Sequence, residues 1–121
     1  MKFMVVDDSQ MIRNQIERVL QNGQFEFCGS AKDGEEAIQE FLAIRPRIVT
    51  MDLTMPRMDG LQAIKEMVAI DPEVRILVVS ALKDTDTCLE ALELGAYGFL
   101  CKPFTDYALV EAVEELVSDL A

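Results

Sequence analysis

The chain contains no histidine. That absence removes Ser-His-Asp chemistry, histidine-ligated zinc and a phosphohistidine carrier together. Positive charge is scarce: 11 Lys and Arg stand against 22 Asp and Glu, for a formal net charge of −11. This balance argues against direct nucleic-acid binding, because phosphate backbones are gripped by clustered cations. No apolar run approaches the roughly 20 residues that cross a bilayer, and the N-terminus has no basic region leading into a long apolar stretch. No membrane insertion is expected, and a cytoplasmic location is. Cysteine is limited to Cys28, Cys88 and Cys101, an odd and widely spaced set in apolar surroundings, which suits packing better than a disulfide framework or metal site. Carboxylates, hydroxyls, lysine and surfaces remain to do the chemistry.

With 121 residues, half of them hydrophobic, the chain is expected to form one domain over 1–121. Apolar runs alternate with segments of helical period. Residues 2–7 read as a strand, and Met11, Ile12, Ile16, Val19 and Leu20 mark a helix face ending before Gly23. Around Phe25 to Gly29 apolar and polar residues alternate, as in an edge strand wetted on one side. Asp33 and Glu36 form a capping signal before a helix that Pro46 stops. The pattern repeats with strands at 47–52, 74–79 and 97–101. Helices follow each, the second ending at Gly95 and the last capped by Thr105. Five β-α units imply an α/β, doubly wound (βα)5 domain with a parallel sheet and helices on both faces. The common order 2-1-3-4-5 is adopted here as a rule for such folds, and it places the ligand crevice between strands 1 and 3.

That order brings Asp7 and Asp8, at the end of strand 1, beside Asp52, at the end of strand 3. Two unit charges about 4 Å apart repel by roughly 4 kcal/mol at an effective dielectric of about 20, so three such acids need an offset. Protonating one would supply it; a hard divalent cation does so while all three stay ionised, and Mg2+ fits a site of few carboxylates, waters and a phosphate better than Ca2+. Ser80 and Lys102 end strands 4 and 5, with Pro103 behind the lysine. Acid, hydroxyl and ammonium on one rim can bind a phosphoryl group and its metal, and Asp52 can form an acyl phosphate. Singly, Asp7 or Asp8 reads more simply as a helix cap, Ser80 as a turn residue and Lys102-Pro103 as a solvated turn. Their coincidence at strand ends carries the functional reading.

In order along the chain stand Val5-Val6-Asp7-Asp8-Ser9, Met51-Asp52-Leu53-Thr54-Met55-Pro56-Arg57-Met58-Asp59-Gly60, Val78-Val79-Ser80-Ala81, Gly95-Ala96 and Lys102-Pro103-Phe104. With these the chain resembles, over essentially its whole length, the receiver domains of two-component response regulators, and among them the single-domain, CheY-like chemotaxis type. The resemblance implies a flavodoxin-like fold and the transfer of a phosphoryl group from a histidine kinase to Asp52 with Mg2+. Asp8, Asp52 and the backbone carbonyl of Thr54 would bind the metal directly and Asp7 through water. Lys102 would pair with the phosphoryl oxygens, and Ser80 would hydrogen-bond one of them. Phe99 would then turn inward and alter the surface of helix 4, strand 5 and helix 5 for a downstream target protein. Such a domain is no enzyme beyond its own phosphorylation and dephosphorylation. Ser80 replaces the commoner threonine, Phe99 lacks a phenolic hydroxyl, and the apolar Leu82 suggests slow self-dephosphorylation. Leu89 and Leu94 are candidate docking leucines near Phe99.

Two rivals fit less well. A haloacid-dehalogenase-type phosphatase has a second acid two residues after its nucleophile, where Thr54 stands. A flavodoxin surrounds its phosphate with Ser, Thr and Gly, where Asp7-Asp8-Ser9-Gln10 would repel one. Within the family, a free-standing regulator, a phosphorelay shuttle and a receiver from a larger regulator all remain open.

Overall fold

Side-chain alternation decides which helices each strand meets. A computed structural model describes residues 1–21, 24–53, 59–81 and 85–120. Its elements are β1 (Lys2–Val6), α1 (Gln10–Leu20), β2 (Glu26–Ala31), α2 (Gly34–Ile44), β3 (Ile48–Met51), α3 (Gly60–Ile70), β4 (Arg75–Ala81), α4 (Thr85–Leu94), β5 (Gly98–Lys102) and α5 (Asp106–Leu116), then a short 3-10 turn at Ser118–Leu120. All strand pairs are parallel and the order is β2-β1-β3-β4-β5, as expected from the sequence. Phe3, Val5, Ile48, Leu77 and Val79 pack with Ile16 and Leu20 of α1 and Leu109 and Val113 of α5. The alternate residues, Met4, Val6, Val49, Met51, Ile76 and Val78, pack with Phe41 of α2, Ile64 and Met67 of α3 and Ala91 of α4. A period of two in the strands thus divides the core into two layers. Among the described residues no helix is long and apolar enough to cross a membrane.

Four helices begin on a side-chain oxygen that accepts an otherwise unpaired backbone N–H. Ser9 takes it from Ile12, Asp33 from Glu36, Asp59 from Gln62 and Thr105 from Ala108. The Glu36 carboxylate reaches back to the N–H of Lys32, one residue before the cap. After α4, Gly95 adopts φ 121°, a left-handed conformation open to glycine, and so ends the helix.

Several boundaries move. β2 runs to Ala31, because its ladder continues until the Asp7 N–H reaches the Ala31 carbonyl. Cys28 is the extra residue where the β1–β2 register shifts, between Phe3–Phe27 and Met4–Gly29. Cys88 is buried, and all three thiols are free. Leu94 packs partly buried against the α2–α4 core layer, and among α4 leucines it is Leu92 that lines the groove beside Phe99. Leu92 packs partly buried against the same layer, and Leu89 is exposed.

The apolar run of β4 hides a cation. Arg75 is buried at its start, yet its guanidinium donates to the Leu116 carbonyl at 3.1 Å and to both Asp119 oxygens at 2.7 and 3.1 Å, and it stacks 4.1 Å from the Tyr97 ring. A planar fork suits this bidentate, stacked role better than an ammonium would. The hydrogen bond from Arg75 holds the Asp119 carboxyl below its usual range, and its partner is held above its own. A carboxylate with a lowered folded-state pKa contributes stability above its unfolded value and loses it as pH falls through the folded one. We expect Asp119→Asn to be less stable than wild type at neutral pH in urea melts. That difference should shrink once pH drops below about 4, the unfolded aspartate value. A difference constant down to pH 2 would contradict this.

Candidate functional site

Each acid of the site stands one or two residues beyond a strand, where the ladder still holds its backbone. The Asp7 N–H donates to Ala31 O at 3.0 Å and the Asp52 N–H to Val6 O at 2.9 Å. Because β1 and β3 are neighbours, the two carboxylates meet at the carboxyl edge of the sheet. Asp7, Asp8 and Asp52 each present a carboxylate oxygen within 4.8 Å of the others. Asp7 and Asp52 are buried, whereas Asp8 is exposed. The grouping expected from the strand ends is therefore present.

The like charge is partly offset from within the chain. Lys102 Nζ lies 2.9 Å from Asp7 Oδ2 and 3.9 Å from Asp52 Oδ2. The other Asp7 oxygen accepts the Ser9 N–H at 2.9 Å, so both sides of this buried carboxylate are engaged. Its backbone carbonyl accepts from Arg13 Nη1 at 2.7 Å. Lys102 reaches the acids because β5 pairs with β4 up to Ala81–Lys102; the Lys102–Pro103 peptide is cis. One ammonium against three carboxylates leaves negative charge and hard oxygen atoms gathered on an accessible rim. That donor set suits a Mg2+ ion.

Ser80 is buried near the end of β4 and pairs in register with Cys101, two residues from the pair Val78–Phe99. Ser80 and Phe99 thus share the α4 side of the sheet on adjacent strands, by the strand period of two. Phe99 is about half exposed (49%) and lines a groove with Leu92. Thr54 and Leu82 lie outside the described residues.

Sequence reasoning missed three supporting residues. Ser9 was open to detection as an N-cap, sitting directly after the acid pair. Arg13 is one turn further on and gives no local signal of its reach to Asp7. Gly60 occupies the first turn of α3 with its N–H on Leu53 O at 3.1 Å, so close to β3 that a Cβ would lie 2.5 Å from the Asp52 carbonyl and from Leu53 Cα. Its lack of a side chain lets α3 press against the backbone that carries Asp52.

A family model described as response regulator receiver domain matches residues 3–114. The chain is similar to the chemotaxis protein CheY of Listeria monocytogenes, 35% identical over 115 residues that make up 95% of this chain and 97% of the relative. Its structure is similar to the REC domain of AraT, a response regulator from Geobacillus stearothermophilus, with a TM-score of 0.92, 30% identity and coverage of 98% of this chain and 94% of that one. It is also similar to a chain of the CheX-CheY-BeF3-Mg2+ complex from Borrelia burgdorferi, with a TM-score of 0.89, 29% identity and coverage of 95% and 87%.

Two substitutions test this geometry. Asp8→Asn removes one of the clustered charges, so in chelator its urea midpoint should exceed that of wild type, by no more than about 1 kcal/mol because Asp8 is exposed and water screens it. A lower midpoint would mean that the acids do not repel. Gly60→Ala forces backbone against backbone and should destabilise by about 1–3 kcal/mol; an unchanged midpoint would contradict the close approach.

Proposed function

The chain belongs to the response regulator receiver domain family, and from that membership we propose that Asp52 is its phosphoacceptor, supplied by a histidine kinase. The observation that carries this assignment is the meeting of Asp7, Asp8 and Asp52 beside Lys102. Asp7 and Asp52 both combine burial with contact to the acidic cluster and the ammonium, and it is the family membership that assigns the phosphoryl group to Asp52. A carboxylate oxygen of Asp52 attacks phosphorus in line, the phosphorus–nitrogen bond to the donor imidazole breaks, and an acyl phosphate forms. The leaving imidazole carries its electron pair to the kinase and takes a proton there.

Asp8, Asp52 and the Thr54 carbonyl would hold Mg2+, and Asp7 through water; bound there, the ion neutralises charge on the acids and on the incoming phosphoryl oxygens. Lys102, already between Asp7 and Asp52, pairs with a phosphoryl oxygen. The Ser80 hydroxyl hydrogen-bonds another. Because Ser80 and Phe99 share a face on neighbouring strands, a shift of the hydroxyl toward the phosphoryl group opens room for the half-exposed Phe99 ring to turn inward. This two-state element, biased by a new anion, changes the α4–β5–α5 surface that a target protein reads. The Mg2+ of the Borrelia CheY complex supports the metal assignment, and its CheX supports a protein as partner.

We infer further that the chain works as a free-standing chemotaxis-type regulator rather than as a catalyst. The similarity to the chemotaxis protein CheY of Listeria monocytogenes supports the chemotaxis assignment.

Incubation with acetyl phosphate and Mg2+ should add one phosphoryl group, read by intact-mass spectrometry under mild conditions. Asp52→Asn should lose it and chelator should prevent it. A phosphoryl group on Asp52→Asn at wild-type yield would move the site elsewhere.

A further inference from the structure

Helices α4 and α5 carry seven carboxylates, three on the first and four on the second, and no lysine or arginine. Among the described residues the cations near these helices are engaged: Arg18 by Asp106 of α5, Lys102 by Asp7, and Arg75, which itself lines the groove between the helices, by Asp119 and the Tyr97 ring. Between the helices lies a groove of 580 Å³, lined by Leu77, Leu92, Gly98, Phe99 and Leu116 with Glu115 among its polar members. Leu89, one turn before Leu92, is 53% exposed, as is Tyr97, and Phe99 is 49% exposed. Acidic helices alone would only be solvated. Two large apolar side chains of the groove, Tyr97 and Phe99, left half in water are what a partner would cover.

We infer that this groove takes a basic amphipathic segment of another protein. An aromatic or aliphatic side chain would seat between Leu92 and Phe99, and lysine or arginine would lie beside Glu93 and Glu115. The inference rests on the reading of the α4–β5–α5 face as the output surface and adds the chemistry of its partner. Charge complementarity selects that occupant. A second copy meeting this face symmetrically would bring the unpaired carboxylates of the two helices against their own kind, and an acidic segment would meet the same repulsion. A basic segment gains charge attraction on the rim and apolar burial on the floor.

The test uses the full chain and two synthetic helical peptides of about 18 residues. One is built from Leu, Phe and Lys, and the other has every Lys replaced by Glu. By fluorescence anisotropy at low salt, the lysine peptide should bind at least roughly tenfold more tightly than its glutamate twin and weaken as salt is raised. Phe99→Ala should weaken it, and the pair Glu93→Lys and Glu115→Lys should reverse the preference while phosphorylation by acetyl phosphate stays at the wild-type level. Equal binding of the two peptides, a preference untouched by the paired substitutions, binding indifferent to Phe99→Ala, or a dimer in sedimentation that Phe99→Ala dissolves would each overturn the inference. Normal phosphorylation without peptide selectivity removes this inference alone. Selectivity without phosphorylation removes the phosphoacceptor reading instead.

Discussion

Three carboxylates held within 4.8 Å of one another, two of them buried, are the constraint around which the carboxyl edge of this molecule is arranged. Left to themselves the acids would separate, because like charges this close repel. The parallel sheet prevents separation, since the backbones of Asp7 and Asp52 are each hydrogen-bonded into the next strand. Lys102 neutralises one charge and the Ser9 N–H engages another lone pair. What remains is a deficit of positive charge at a solvent-facing rim, and a deficit of that kind makes a site selective for a cation and for a group the cation can bridge.

The surroundings serve that arrangement. Gly60 lets α3 close against the Asp52 backbone, and Arg13 holds the Asp7 carbonyl from α1. At the opposite end of the sheet Arg75 ties β4 to the segment after α5 through Leu116 and Asp119. The strand carrying Ser80 is therefore anchored at its start. The coupling from site to surface is short. Ser80 and Phe99 sit on adjacent strands, on one face, two positions apart in register.

Most of the fold was legible because strand and helix periods differ and the turn residues are unambiguous. The alternation of Phe25, Glu26 and Phe27 marked the edge strand, and Asp33, Gly95 and Thr105 marked helix ends that the structure retains. The grouping of Asp7, Asp8 and Asp52 followed once the common strand order was adopted, since residues at carboxyl ends of neighbouring parallel strands must meet, while Lys102, on the edge strand beyond β4, reaches them by the length of its side chain. Long-range contacts were less accessible. Arg75 hid within an apolar run because its partners, Leu116 and Asp119, lie more than 40 residues away.

Calorimetric titration of Mg2+ into the metal-free chain addresses the central claim most directly. One ion per chain should be taken up, with uptake abolished when both Asp8 and Asp52 are replaced by asparagine. Absence of uptake by the wild-type chain, or undiminished uptake by that double variant, would contradict the account.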